Sequence, residues 1–543
     1  MDILTAEMLW EGYDPAAEQL ETNIFKTVEH DGLVTKQLYF TGRTLANGAK
    51  TRVFATVCCK NTNSIKPAVL LVGNYKQPIN MHDVEQLARN GFVTMAIDFA
   101  GRTDKGCHTI YAPELDYCNA DVAPDIFYVG ETARDTKLFE YALNCRRAIT
   151  YLLREEKIKS VSLVTVGSGV YVGIIALGVE KRLTNGAILF GNMSRQFPEY
   201  DGEIDESDAA SLNRHLEYDR QRQAWTLGLA PQTYAIQISI PLYIVNTANS
   251  NHVDLNVANK MASRLNHNCR YLILPNALDY ISDKYFESLV KWLKGAQVPV
   301  ISQLSAFSDA SGDYCLKVQT SSSINKTSIW YCSNPRNRAM YWRQAKLVKD
   351  GAFYVAKLDL YEKQNDIVAY ALFDRDVAIS TQLFTDTVAV NKPKIVNKNI
   401  FSGQGEQRLI RLDTLDSWLN LPLEQQLTEG YLGIVGAKGK KLATFAISDK
   451  SLCKYGAFTL GFDICSTVRQ KMSVYGICNF GGAEVRYRQT TDLIGDGKWQ
   501  RITVDKENFR RVGDDKQISE EENIDMIIIV ADEEIIVNNI FLV

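Results

Sequence analysis

The stretch that most constrains the fold is VSLVTVGSGVYVGIIAL, Val161 to Leu177. Val161 to Val166 is an apolar, β-branched run of strand length, which predicts a buried strand. Gly167 and Gly169 break the run, and apolar residues resume near Val170 over a helical length. A strand, a glycine turn and a helix form the building unit of a sheet with parallel strands. In such sheets the chemistry gathers outside the carboxyl ends of the strands, so residues 167–169 are the first place to look for a site.

The surrounding segments repeat the pattern. Ala68 to Val72 reads as a strand, Met81 to Asn90 as a helix and Val93 to Asp98 as a strand. After a loop-rich insertion to about Tyr128, Ala133 to Glu156 predicts a long helix with Leu138, Tyr141, Ala142, Cys145, Ala148 and Leu152 on one side. Ala187 to Phe190 is a further strand. Beyond a polar insertion come strand Leu242 to Val245, helix Val253 to Leu265, strand Arg270 to Leu274 and helix Ser282 to Lys294. Ahead of this series, residues 4–20 predict a short helix. Ile24 to Val28, Thr35 to Phe40 and Thr51 to Cys58 predict an antiparallel meander turned at His30-Asp31-Gly32 and Ala46-Asn47-Gly48. Alternating strands and helices imply a mostly parallel, doubly wound sheet covered on both faces.

Past Gly295 the helical periodicity stops. Tyr314 to Gln319, Thr327 to Cys332, Phe353 to Leu358 and Ile367 to Leu372 predict a small β-sandwich over 297–392. Val388 to Lys398 is polar and contains Pro393, which suits a linker. Residues 396–543 predict a second all-β sandwich with strands Leu442 to Ile447, Phe458 to Ile464, Gln470 to Asn479, Gln500 to Val504, Met526 to Val530 and Ile535 to Leu542. A chain of 543 residues exceeds one core, and three domains (1–296, 297–392 and 396–543) account for it.

Composition narrows the function classes. A net charge of −4 argues against a nucleic-acid surface, and no apolar run is long enough to span a membrane. The N-terminus carries acidic residues early and no apolar core, so no secretory signal is expected. The 11 cysteines are scattered without C-x-x-C spacing, which favours free thiols in a reducing, cytoplasmic setting. The six histidines form no metal-binding pair, so no metal and no cofactor is expected.

Particular segments resemble the α/β-hydrolase superfamily, within it the acetylxylan esterase and cephalosporin deacetylase-like group on a dienelactone-hydrolase-like frame. PAVLLVGN at 67–74 is similar to the strand and oxyanion loop of that group, which would make Gly73, Asn74 and Tyr75 the oxyanion loop. RNGFVTMAIDFAGR at 89–102 resembles its next strand and loop. TYAIQISIPLYIVNTANSNHVDL at 233–255 resembles the segment ending in the acid loop, and YLILPNALDYISDKYFESLVKWLKG at 271–295 the histidine loop and last helix. SIWYCSNPRNRAMYWRQAKL within 297–392 resembles a fibronectin-type sandwich. GKWQRITVDKENFRR and EEIIVNNIFLV resemble a galactose-binding-type jelly roll. The resemblance implies a carboxylic-ester hydrolase acting on acylated sugars, with serine, acid and histidine on three loops in that order.

The triad positions are substituted. The apolar register of the strand puts Gly167 in the nucleophile's place; a shift of two puts Gly169 there, and a shift of one puts Ser168. The acid loop carries Ser250 or Asn251, and the histidine loop carries Asp279. A serine without a base is a poor nucleophile at neutral pH. The expectation is a catalytically degenerate hydrolase, a pseudoenzyme with a carbohydrate-associated binding or scaffold role and a small sugar or acylated sugar as ligand. Two alternatives stand beside it. One is an active esterase with a displaced triad, in the sharpest form a swapped relay of Ser168 as nucleophile, His252 as base and Asp279 orienting it. The other is a dinucleotide site at Gly167, Gly169 and Gly173, whose spacing after a strand resembles a pyrophosphate-binding turn. Asp98 reads as a loop anchor, His82 as a helix-start residue, and Trp330, Trp342 and Trp499 as core.

Overall fold

The computed structural model describes residues 2–62, 64–102, 106–194, 220–250, 253–265, 268–279, 281, 283–319, 326–335, 339–394, 399–401, 410–411, 426–433, 435–449 and 459–542. Two compact units divide the chain. The first comprises 1–245, 256–270 and 289–297, and the second 246–255, 271–288 and 298–543.

The first unit opens with helix α1 (Ala6–Trp10), capped by Thr5, whose hydroxyl accepts from Met8 N. It is shorter than the predicted 4–20 because Gly12, at φ 71, and Pro15 follow it at once. Strands β1 (Asn23–His30), β2 (Leu33–Thr44) and β3 (Lys50–Lys60) form the expected antiparallel meander. His30 pairs with Leu33 across Asp31 (φ 49) and Gly32 (φ 73). Both turn residues lie in the left-handed region that a two-residue hairpin requires, which explains the Asp-Gly pair.

Next come β4 (Lys66–Val72), α2 (Met81–Arg89), β5 (Val93–Ile97), α3 (Lys137–Glu155), β6 (Ile158–Val166), α4 (Val170–Val179), β7 (Asn185–Leu189), β8 (Leu242–Thr247) and β9 (Cys269–Leu274). The strand order is β1-β2-β3-β5-β4-β6-β7-β8-β9. β4 lies parallel to both β5 and β6, β6 to β7, and β7 to β8. An antiparallel edge is followed by parallel strands crossed by helices. The chain runs from β4 to β5 on one side and then crosses back to β6 on the other. The loops after β4 and β6 therefore meet at the point where strand order reverses, the preferred ligand position of such sheets. No helix among the described residues is long and apolar enough to cross a membrane.

Helix α3 is buried on every side from Lys137 to Leu152, with Lys137, Glu140, Arg146 and Arg147 among the buried residues. Glu140 has no exposed surface. Burial pushes its carboxyl up to about 7 from an ordinary 4.5, against the pull of the Arg43 guanidinium 3.5 Å away. Between those two values the folded state holds a proton that the unfolded chain has lost, so stability falls as pH rises through this window. The drop should be on the order of 3 kcal/mol. Urea titrations from pH 5 to pH 8 should show this decline, and Glu140→Gln should flatten it. An unchanged slope in the variant would remove Glu140 as its cause.

In the second unit, Ser305–Ser308, Tyr314–Gln319, Phe353–Lys357 and Leu347–Asp350 form a four-stranded antiparallel sheet. Lys326–Ser333 and Gln364–Asp374 pair over eight positions, and Ile379–Ser380 continues from the latter to Tyr271 of β9. The C-terminal sheet is built on Ile524–Leu542, one strand of 19 residues where the sequence pattern predicts two. Asp532, Glu533 and Glu534 read as a break. The backbone carries through them, with a register shift against Val435–Thr444. The strand changes partners there: Met526 to Ala531 pair with Gln470–Cys478, and Ile535 to Leu542 with Thr459–Ser466. The buried core of this layer also takes in Leu278, Ala339 and Tyr341 from outside it.

Candidate functional site

At the end of β6 the backbone turns through Gly167, Ser168 and Gly169 into α4. Gly167 has φ +56, and a side chain added there would meet nothing within 4 Å. It is thus the corner residue of the turn, in a conformation that side chains rarely adopt, with open space above it. Gly169 is different. A Cβ there would collide with the carbonyl oxygens of Val72 and Gly73. Gly173 packs on Thr165, and Gly191, just past β7, packs on Val170 and the carbonyl of Gly167. Glycines 169, 173 and 191 therefore let the end of β4, β6, α4 and the chain after β7 approach closely. That packing accounts for the spacing read as a pyrophosphate turn, and the Val72 and Gly73 oxygens beside Gly169 are acceptors, unsuited to an anion.

Ser168 is half-buried, and its hydroxyl donates to Asn74 Oδ1 at 2.8 Å. The same oxygen accepts from Lys76 N at 3.1 Å. The structure thus brings together two of the residues singled out, Ser168 and Asn74, at the strand-order reversal. An amide oxygen, however, cannot take the hydroxyl proton as a base would. Tyr75 is buried, and its hydroxyl donates to Asp125 Oδ1 at 3.2 Å. Lys76 Nζ reaches Asp125 Oδ2 at 2.9 Å. Burial raises the Asp125 carboxyl, but Lys76, the Ile126 amide and Tyr75 together hold it below its ordinary value. Asp98, at the end of β5, is buried and accepts from the amides of Ala100, Gly101 and Thr109, the loop-anchoring role read from its position. His82 is exposed in the first turn of α2.

Ser250 and Asp279 belong to the second unit, and His252 lies outside the described residues. There the segments expected from sequence to be acid and histidine loops make structural bonds. Asp279 is buried and accepts from Thr247 Oγ1 at 2.9 Å. Ser250 Oγ accepts from Val253 N at 2.8 Å, closing its own turn. Asn249 Nδ2 donates to Met340 O at 2.6 Å. Asn276 holds Trp342 twice, donating to its carbonyl at 2.7 Å and accepting from its amide at 2.9 Å. Asn249 and Asn276 were not singled out from sequence. Their signal was present in the polar runs NTANSN and PNA, which read only as loops.

Trp330 and Trp342 are buried, as expected of core residues, whereas Trp499 is only partly so. The described cysteines are free thiols.

No family model matches the chain, and no curated protein matches it. Solved structures similar to it include an acetyl xylan esterase from Paenibacillus sp. R4, at 12% identity and a TM-score of 0.37, covering 52% of this chain and 91% of that one. Acetyl xylan esterase 1 from Thermoanaerobacterium sp. JW/SL YS485 aligns at 11% identity and a TM-score of 0.37, covering 51% and 88%. A glucuronoyl esterase from Solibacter usitatus aligns at 12% identity and a TM-score of 0.35, covering 52% and 88%.

Proposed function

We propose that this chain is an α/β-hydrolase frame without ester chemistry, serving as a carbohydrate-associated binding or scaffold protein. In this reading an acetylxylan-esterase-like body carries a fibronectin-type sandwich over 297–392 and a galactose-binding-like jelly roll over 396–543. The observation that carries it is Gly167. The corner of the turn, where a nucleophile would need its side chain, holds a residue with none, under open space. The neighbouring Ser168 supports the same reading, because its hydroxyl is directed to an amide oxygen. So do Asn249, Ser250, Asn276 and Asp279, whose side chains hold backbone or neighbouring side chains in place of a relay. Gly73, Asn74 and Tyr75 keep the place of an oxyanion loop.

The purified chain should not turn over 4-nitrophenyl acetate or acetylated xylo-oligosaccharides above buffer background, and Ser168→Ala should change nothing. Turnover of about 1 per second, within the ordinary enzyme range, that Ser168→Ala abolishes would replace this reading with an active esterase using Ser168.

A further inference from the structure

Strands Trp499–Asp505, Thr459–Ser466 and Ile524–Leu542 lie side by side in the C-terminal sheet. Cys465 stands opposite Trp499, Asp463 opposite Arg501, and Gly461 opposite both Thr503 and Phe541. Directly opposed residues share a face of a sheet, as do residues two apart. Trp499, Arg501, Asp463, Asn539 and Phe541 therefore share one face. The alternate residues Leu460, Phe462, Ile464, Val504 and Ile540 are buried in the core on the other.

The outward face is not the polar surface expected opposite a core. The Trp499 ring lies 5.9 Å from that of Tyr431, which is 40% exposed. The Arg501 guanidinium lies 4.6 Å over the Phe541 ring, itself half-buried. Arg501 Nε and Nη2 fork onto the two oxygens of Asp463 at 2.8 and 3.1 Å, and Asn539 Nδ2 donates to Asp463 Oδ2 at 3.0 Å. Asp463 is only 5% exposed and fixes both partners. Among the described residues, the second guanidinium nitrogen of Arg501 and the amide oxygen of Asn539 have no hydrogen-bond partner. A donor and an acceptor are thus held rigidly between partly exposed rings.

We infer that this face is an oligosaccharide-binding site, a placement that rests on the binding role proposed above. A sugar ring offers a C–H face and a rim of hydroxyls. Trp499 and Tyr431 supply apolar ring surface for the first, and Arg501, stacked on Phe541, and Asn539 supply a donor and an acceptor for neighbouring hydroxyls. Sites for small ligands combine apolar walls with a few fixed polar groups in this way. Because Asp463 holds both groups before binding, little ordering remains to oppose it. Two rings and two polar groups fall well short of the roughly 800 Å² per partner that a stable protein interface buries. Arg501 is already neutralised by Asp463, which removes the attraction for a phosphate backbone.

Calorimetric titration of the full chain with xylo-, cello- and manno-oligosaccharides tests this. At least one series should bind and perturb tryptophan fluorescence. Trp499→Ala and Asn539→Ala should each weaken that binding by about ten-fold or more while leaving the unfolding transition in place. Binding that both variants retain in full would overturn the site and leave the binding role standing. No binding by any series would overturn both. Ester turnover together with Trp499-dependent binding would uphold the site and overturn only the loss of chemistry.

Discussion

Arg147→Met should lower the unfolding free energy by about 3–5 kcal/mol, among the largest single-site effects in this chain. The guanidinium is 2% exposed and holds four backbone carbonyls. Nε donates to Thr41 O at 3.0 Å, Nη1 to Pro15 O at 2.6 Å and Glu18 O at 3.0 Å, and Nη2 to Gln19 O at 2.9 Å. Residues 15–19 form no regular element, so their carbonyls have no ladder to bond to, and Arg147 satisfies them from α3. Methionine fills similar volume and donates nothing, which leaves these acceptors without their main donor. Arg147→Lys keeps the charge but not the fork, and should fall between the two. Denaturant unfolding at pH 7 measures both; a loss below about 1 kcal/mol for the methionine variant would mean that water replaces the guanidinium at little cost.

None of this was legible in the pattern Leu138, Tyr141, Ala142, Cys145, Ala148 and Leu152, which predicts α3 and leaves Arg147 off its apolar side. The helix is buried on that side as well, because the segment ahead of β1 covers it. The parallel series and the meander were legible because each rests on local signals: apolar runs of strand length, an Asp-Gly and an Asn-Gly turn, a glycine break before Val170. The break at Asp532 to Glu534 misled for the same reason. A run of acids reads locally as a loop, whereas here the strand continues through it and pairs on either side, up to Ala531 and again from Ile535. At the candidate site, the register favouring Gly167 was readable from the apolar positions of β6. The partner of Ser168 was not, since Asn74 lies 94 residues away and nothing in either segment announces the other. The aromatic face of the C-terminal sheet was likewise hidden. Trp499 alternates with Arg501 as any strand residue would, and only the pairing with Asp463 and Phe541 gives the alternation a meaning.

Tyr341→Ala should cost about 3–5 kcal/mol, the range for removing a large buried ring, and the loss should appear in the C-terminal sheet. Tyr341 is 1% exposed and packs in the core of that sheet with Leu278 and Ala339. Its neighbours in sequence, Met340 and Trp342, are the residues held by Asn249 and Asn276. One short segment, 339–342, is therefore gripped at its backbone by the loops after β8 and β9, and inserts a ring into the β layer. A fragment of 396–543 would carry that core without Leu278, Ala339 or Tyr341. A fragment of 298–543 retains the last two and should unfold cooperatively, whereas 396–543 alone should not. Hydrogen exchange on Tyr341→Ala should show faster exchange in Gln470–Cys478 and Ile524–Leu542, while β4 and β6 keep their protection. If the variant unfolds as the parent does, or 396–543 folds by itself, the inserted ring is dispensable and the two asparagines need another explanation.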